Sequence, residues 1–503
     1  MSGSAPAGSN PPSSLGRGAV VAGAVLLSGL VRLYWTTRYA GWEESDYGNL
    51  AMIRGVLEGG FLHYDMNHMP GYYALGALVL GLVDGLVPNP TLVAARGVAL
   101  VMGLIAVGSA VALADRLAGR RVALAAALLL AFQPELMLYS SSSLREPVYA
   151  GWVLASIAAL CGERLVLAGI FAALAFSVRM DGALALLPAL FVAGIGRGPR
   201  LPRLLALFGP LGAAIAAWSA YCAVEHGTPF FWSHSVGVNI ETGLGAEAEG
   251  PLSWLAGGLS VVAGLLGHLL PWRVGWVVWA GALVALIGLP WARHDPRRTV
   301  GVLLISQLGV WAGIGLVGQH APTHNLYWKW MMPIVPVLVP VGLAGLFALT
   351  DRWPRGRWLI LGLGLAQIVR TDLRETARQV ALGDQLYAPQ RALAEWIEAN
   401  VPASVPMVLD NIPSCYLNRE VHERRLVSWF DVPSRPGDEA DFARWLRDEQ
   451  IGFVLWFAED WTQAPRVAPF LTVGGTWEGE GLRLVERARE DHYGWIFFVV
   501  EPK

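Results

Sequence analysis

The chain reads as an α-helical polytopic membrane protein that ends in a small soluble α/β domain, and three observations predict this. Of its 503 residues, 54% are hydrophobic and only 15% charged, with a mean hydropathy of +0.45, well outside the range of an ordinary soluble protein. Apolar runs near the length of a membrane span recur between Gly18 and Arg370. Beyond about residue 372 the composition turns charged and short strand-like runs appear. The 22 Trp residues fit the same class, because indole rings favour the boundary between apolar and wet layers. The net charge of -2 argues nothing about partners, and no basic run suggests nucleic acid. Cys161, Cys222 and Cys415 lie far apart in sequence, so neither a disulfide framework nor a thiolate metal cluster is expected; a single Cys222–Cys415 bridge stays open, since the expected topology puts both on one side.

Residues 1–16, rich in Ser, Gly and Pro, read as a disordered tail, and 17–371 as the transmembrane domain. The first span is expected at 18–35. The loop over 37–90 follows, with a short helix at about 46–58 carrying Leu50, Ile53 and Leu57 at helical spacing, laid along the membrane surface. Residues 70–87, interrupted by Asp84, and 254–270 are read as outer dips that enter and return. This choice puts the basic loops at 115–121, 196–203, 293–298 and 351–357 on the cytoplasmic side. The remaining spans are expected at 91–113, 122–139, 147–161, 164–178, 182–196, 204–224, 274–291, 299–317, 331–350 and 358–370, which makes about eleven in all. The amino terminus then lies inside and the carboxyl terminus outside. In the last region, 372–503, helical patterns at 388–399 and 440–449 alternate with strand-like runs at 405–409, 453–457 and 495–500. No internal repeat points to an inverted-repeat transporter.

That topology gathers ionisable groups from distant parts of the chain on the outer face. The first loop packs Glu43, Glu44, Asp46, Glu58, His63, Asp65 and His68 between apolar segments, with Tyr72 just after. Arg145 and Glu146 follow four serines, Arg179 and Asp181 flank Met180, and His324, Tyr327 and Lys329 precede the span at 331–350. Such a gathering is what a site built between span ends needs. Each group also has a purely structural reading. Ser45 or Asp46 can cap the short helix, Glu146 before Pro147 suits a helix amino terminus, Asp181 can pair with Arg179, and Arg145 and Arg179 can snorkel to lipid headgroups.

The pattern Trp42-Glu43-Glu44-x-Asp46-Tyr47, then a helix, Gly59-Gly60 and Asn67-His68-Met69-Pro70-Gly71-Tyr72-Tyr73, resembles the opening of the GT-C superfamily of membrane glycosyltransferases. The nearest members are the protein mannosyltransferase and aminoarabinose transferase-like group. Arg145-Glu146, Arg179-Met180-Asp181 and His324-Asn325-Leu326-Tyr327-Trp328-Lys329 extend the resemblance over roughly residues 20–370. The chain has Glu43 where the family has Asp, and His-Met-Pro-Gly where it has His-Pro-Pro.

The resemblance implies a GT-C-like fold and an inverting transfer of a hexosyl or pentosyl group from a polyprenyl-phosphate-linked donor to a glycan, lipid or protein acceptor on the outer face. It assigns the base to Glu44, Glu43 or Asp46 and the donor phosphate to Arg145, Arg179, His324 and Lys329. His68, Tyr72 and Tyr327 become acceptor or sugar contacts. Some relatives bind a divalent metal, Mg or Mn, and here Glu43 or Asp46 with Glu146 would hold one; others manage without. The residue types suit the reaction. A lipid phosphate already leaves readily, so one base and cationic help suffice, where a glycosidase needs two carboxyl groups. Richness in Ala, Gly, Leu and Arg suggests a bacterial inner membrane, with the last domain outside the cytoplasm. The alternatives from other classes are a secondary transporter, whose charges would sit in mid-span, and a non-catalytic assembly protein.

Overall fold

The computed structural model describes residues 14–38, 45–59, 69–87, 90–194, 199–225, 227–229, 263–264, 274–287, 300–302, 305–306, 332–350, 353, 355–402, 404–409, 426–429, 432, 437–457, 464–490 and 495–503. The chain divides into two compact units. One comprises Met1–Arg38, Gly55–Val79 and Ala94–Arg378, and the other Tyr39–Arg54, Leu80–Val93 and Gln379–Lys503.

The first unit is helical. Its elements are α1 (Ser14–Thr36), parts of α2 (Ser45–Gly59), α3 (Gly71–Val83) and α4 (Pro90–Ala118), then α5 (Arg120–Phe132), α6 (Pro134–Ser140), α7 (Glu146–Cys161), α8 (Leu165–Val178), α9 (Met180–Gly194) and α10 (Arg200–Glu225). After these come α11 (Trp276–Ile287), α12 (Ile334–Thr350) and α13 (Gly356–Gln367). Among the described residues, three helices are long and apolar enough to cross a membrane, Gly18–Thr36, Pro90–Ala118 and Arg200–Val224, or four if the bent pair α5–α6 is one span. The 13 residues of α3 reach about 20 Å, short of the roughly 30 Å of bilayer hydrocarbon. Leu26, Leu30 and Leu33 on α1 are exposed, as lipid-facing positions would be.

Small residues let these helices approach. Apolar side chains gain little from leaving lipid for one another, so close backbone packing carries the association. A Cβ on Gly169 of α8 would come within 2.6 Å of the Ala206 and Leu207 carbonyl oxygens of α10, and one on Gly151 of α7 within 2.7 Å of the Met102 carbonyl oxygen of α4. The α11–α12 crossing is glycine on glycine: Gly281, Gly342 and Gly345 each lie against the partner helix's backbone.

One expected span is interrupted. The apolar run at 122–139 breaks between α5 and α6 with a 55° bend. Pro134 has no N–H to donate and its ring excludes a continuing helix, so Gln133 before it takes an extended backbone, with φ -65 and ψ 119. The Gln133 side chain then caps α6 by accepting from the Leu136 N–H at 2.7 Å. The carbonyls left open at the end of α5 are met by Arg32 of α1, fully buried, which donates to the Leu130 and Ala131 oxygens at 3.5 Å.

The second unit is built on a six-stranded sheet in the order β2-β1-β3-β6-β5-β4. Its strands are β1 (Met407–Leu409), β2 (Leu426–Ser428), β3 (Phe453–Phe457), β4 (Thr476–Gly479), β5 (Leu482–Glu490) and β6 (Trp495–Pro502). β1 runs parallel to β2 and β3, and the pairs β3–β6, β6–β5 and β5–β4 are antiparallel. The period of two along β3 sorts the core. Val454 and Trp456 join Trp429, Phe442, Leu446 and Phe498 on one face, and Leu455 joins Ile397, Val401, Met407 and Phe497 on the other. The first face is covered by α15 (Glu439–Asp448), capped by Asp438 accepting from the Asp441 N–H at 2.9 Å. The buried indoles keep partners: Trp429 donates to the Leu455 carbonyl at 2.7 Å and Trp456 to that of Ala468 at 3.0 Å. In the same unit Arg54 of α2 reaches Thr91 Oγ1 at 3.1 Å and Asp84 at 3.7 Å.

Near residue 372, where the composition turns charged, the backbone stays helical. From α13 the helix passes through a π-turn at Ile368–Asp372 into α14 (Leu373–Asn400). The pattern at 388–399 is only the end of this 28-residue helix, whose first half hides its periodicity behind charged residues.

Candidate functional site

The start of α7, Arg145 just before it and the junction of α8 with α9 meet around one carboxylate. Glu146 is the first residue of α7, with Pro147 behind it, a position where the helix N-terminus favours an anion. Arg179 falls in the gap between α8 and α9, where the backbone turns extended at φ -150 and ψ 124. Its guanidinium Nη1 donates to Glu146 Oε1 at 3.1 Å, with both side chains buried. Arg145 Nε stands 4.0 Å from the same oxygen and is 23% exposed. Glu146 Oε2 is buried and has no hydrogen-bond partner among the described residues.

Two arginines against one carboxylate leave a net positive charge in a place with little water. Such a charge is compensated best by an anion, and a phosphate is the anion that guanidinium forks match. The spare oxygen of Glu146 can accept a proton-bearing group or a hard cation.

Aromatic side chains hold this cluster. The Arg179 guanidinium lies 5.9 Å from the centre of the Tyr149 ring. Tyr72 is fully buried and donates to the Ser143 carbonyl at 2.6 Å, which fastens the start of α3 to the loop before Arg145. Tyr73 beside it is hydrogen-bonded to Arg145. Gly71 makes the approach, since a Cβ there would stand 2.8 Å from the Ser177 backbone carbonyl, two residues before Arg179.

Of the residues expected to act, the structure thus brings together Arg145, Glu146 and Arg179, with Tyr72 buried behind the loop. Glu43, Glu44, His63, Asp65, His68, His324, Tyr327 and Lys329 lie outside the described residues. Asp46 and Asp181 have a described backbone only, each as the second residue of its helix, α2 and α9. Among the described residues no group of three His, Cys, Asp or Glu side chains gathers as for a metal. The proposed metal set therefore has only Glu146 in view. Its unpartnered oxygen fits one ligand position, although Arg179 already neutralises the other.

Sequence reasoning missed a second pair of acids. Glu135, the second residue of α6, and Asp372, at the end of the π-turn, are both buried, and Gln133 donates to Glu135. Burial, reinforced by the charge of Glu135 and opposed by a hydrogen bond from Gln367, pushes the Asp372 carboxyl up to about 7. The available signal was an acid directly after Pro134 inside an apolar run.

Asp372 makes stability depend on pH. Between about 4 and about 7 the unfolded chain has lost the Asp372 proton while the native chain keeps it, so stability falls as pH rises through that window and levels off above it. The expected difference is on the order of 2–4 kcal/mol. Thermal midpoints of the detergent-purified protein at pH 5 and pH 8 measure it. Asp372→Asn should remove this part of the pH dependence, and an unchanged slope would assign it elsewhere.

No protein family defined by sequence matches the chain, and no curated protein matches it in sequence. Solved structures do. ArnT from Cupriavidus metallidurans bound to undecaprenyl phosphate aligns over 97% of this chain and 98% of its own, with a TM-score of 0.58 and 14% identity. The Archaeoglobus fulgidus oligosaccharyltransferase in complex with Zn and sulfate aligns over 87% of this chain and 67% of its own, with a TM-score of 0.52 and 14% identity. Together with the helical first unit and the small C-terminal sheet, this likeness gives the chain the fold of the GT-C membrane glycosyltransferases.

Proposed function

We propose that the chain is an inverting glycosyltransferase that moves a sugar from a polyprenyl-phosphate-linked donor to a hydroxyl or amine acceptor at the outer boundary of the membrane. The observation that carries the reading is the Arg145–Glu146–Arg179 cluster, with Glu146 and Arg179 buried, an excess of guanidinium charge at helix ends within a GT-C fold. ArnT, which shares that fold, is bound to undecaprenyl phosphate. The eleven-span topology, with both the first loop and the C-terminal domain outside, belongs to the same reading.

In this mechanism Arg179 and Arg145 hold the donor phosphate and take up the charge that grows on it as the anomeric bond breaks. Glu146 fixes Arg179 in place. A carboxylate of the first loop, Glu44, Glu43 or Asp46, removes the acceptor proton as the acceptor attacks the face opposite the leaving phosphate, which inverts the anomeric carbon. His324 and Lys329 add to the phosphate contacts, and His68 and Tyr327 to those of the sugar or acceptor. A divalent metal, if bound through Glu43 or Asp46 with Glu146, would supply further positive charge near the phosphate. The Archaeoglobus enzyme's complex with Zn and sulfate is a precedent for both kinds of ligand in this fold.

The test is release of polyprenyl phosphate from a panel of synthetic polyprenyl-phosphate sugars by purified protein. Glu43→Gln, Glu44→Gln and Asp46→Asn are compared with the parent, each with and without chelator. One of the three should lose about 100-fold or more in rate with donor binding retained. Absence of donor binding by the parent would sink the reading.

A further inference from the structure

The buried acid pair of the first unit opens into a cavity of about 250 Å³ lined by Glu135, Arg370, Asp372, Arg374, Glu375 and Arg378, together with Pro134 and Thr371. Its volume lies below the roughly 300–1,000 Å³ of pockets for drug-sized ligands, so it suits one headgroup or one small sugar. The charges are segregated by depth. Glu135 and Asp372 are buried, whereas Arg370, Arg374 and Arg378 are exposed. Arg378 is already held by Glu375 through two hydrogen bonds of 2.9 and 3.0 Å. Arg370 and Arg374 have no ion-pair partner among the described residues. The π-turn at Ile368–Asp372 sits at this point, and such irregular turns inside helices are frequent at functional sites.

We infer that this cavity binds a phosphate-bearing polyol, with the phosphate on Arg370 and Arg374 at the rim and the hydroxyls on Glu135 and Asp372 below. The arginines supply charge-assisted donors to the phosphate. The carboxyls accept from the ligand's hydroxyls, and the neutral form of Asp372, favoured up to near pH 7, can also donate to one. A simple anion would engage the arginines but not the remaining acceptor positions of Glu135 and Asp372, which Gln133 and Gln367 fill only in part, and a neutral polyol would leave Arg370 and Arg374 without an ion-pair partner. A cationic ligand would meet the arginines first. The ligand can come from an anionic phospholipid headgroup carrying hydroxyls or from a soluble glycan phosphate. The inference goes beyond the transferase reading and does not depend on transfer chemistry.

The full chain in detergent is titrated calorimetrically with glycerol 3-phosphate, glycerol and inorganic phosphate. Glycerol 3-phosphate should bind at least tenfold more tightly than either fragment. Arg370→Gln with Arg374→Gln, both exposed positions, should weaken it at least tenfold while leaving undecaprenyl-phosphate binding unchanged. Asp372→Asn and Glu135→Gln should weaken glycerol 3-phosphate but not inorganic phosphate. Equal affinities for the three probes, no binding, or indifference to the arginine changes would overturn the inference. Native mass spectrometry from nanodiscs of phosphatidylglycerol or phosphatidylcholine separates the sources. Retention of phosphatidylglycerol that the arginine changes abolish assigns the lipid; glycerol 3-phosphate binding without such retention assigns a soluble ligand; either upholds the site.

Discussion

Arg179→Met should destabilise the protein by about 3–5 kcal/mol, because it leaves the buried Glu146 carboxylate with only the more distant, part-exposed Arg145. Adding Glu146→Gln should recover most of that loss, since a neutral pair of similar volume can replace a buried ion pair at little cost. Transfer should not recover with it. If the arginine holds the donor phosphate, both the single and the double variant should turn over about 100-fold more slowly or worse, while Glu146→Gln alone should lose less stability than Arg179→Met. The thermal midpoint and the rate of lipid phosphate release, read on the same three variants, separate the two roles. A double variant that regains both stability and rate would make the pair structural only. The geometry behind the prediction is the 3.1 Å contact between Arg179 and Glu146, both buried, with Arg145 more loosely placed at 4.0 Å.

Gly342→Leu should prevent the first unit from assembling, and even Gly342→Ala should cost about 1–3 kcal/mol. A Cβ on Gly342 would run into the Val278 backbone carbonyl, and Gly281 and Gly345 meet the facing helix in the same way. Backbone cannot step aside as a flexible side chain can, so α11 and α12 would have to separate and lose the packing that holds them in lipid. The matched control is Gly362→Ala, a helical glycine with nothing within 4 Å of the new Cβ. That change should be neutral or stabilising by up to about 1 kcal/mol. Scanning fluorimetry and the monodisperse yield in detergent compare the two positions. Equal tolerance at both would remove the close crossing from the account of stability.

What could be read directly from the residues is what local rules govern. The helical class follows from apolar runs, and helices occur at many of the places where those runs lie, such as Leu165–Val178 and Met180–Gly194. Phe453–Phe457 is a strand with the bounds its composition suggests. Arg145, Glu146 and Arg179 stand out because charge next to an apolar span is costly and therefore conspicuous. The break in the run at 122–139 was also legible in principle, since Pro134 carries it. Strands β2, β4 and β5 were not; β5 is long but rich in charge, and owes its place to pairing with β6.

The sequence alone thus determined that this is a membrane helical protein with a terminal α/β region, and it singled out the charged residues at span ends. Only the tertiary structure decided which side chains meet. Arg179 finds Glu146 across 33 residues of chain, Tyr72 reaches Ser143 across 71, and Glu135 faces Asp372 from a far more distant segment. Hydropathy and periodicity act over a few residues, whereas these pairings depend on which helices close against each other, and that is set by where glycines let two backbones touch.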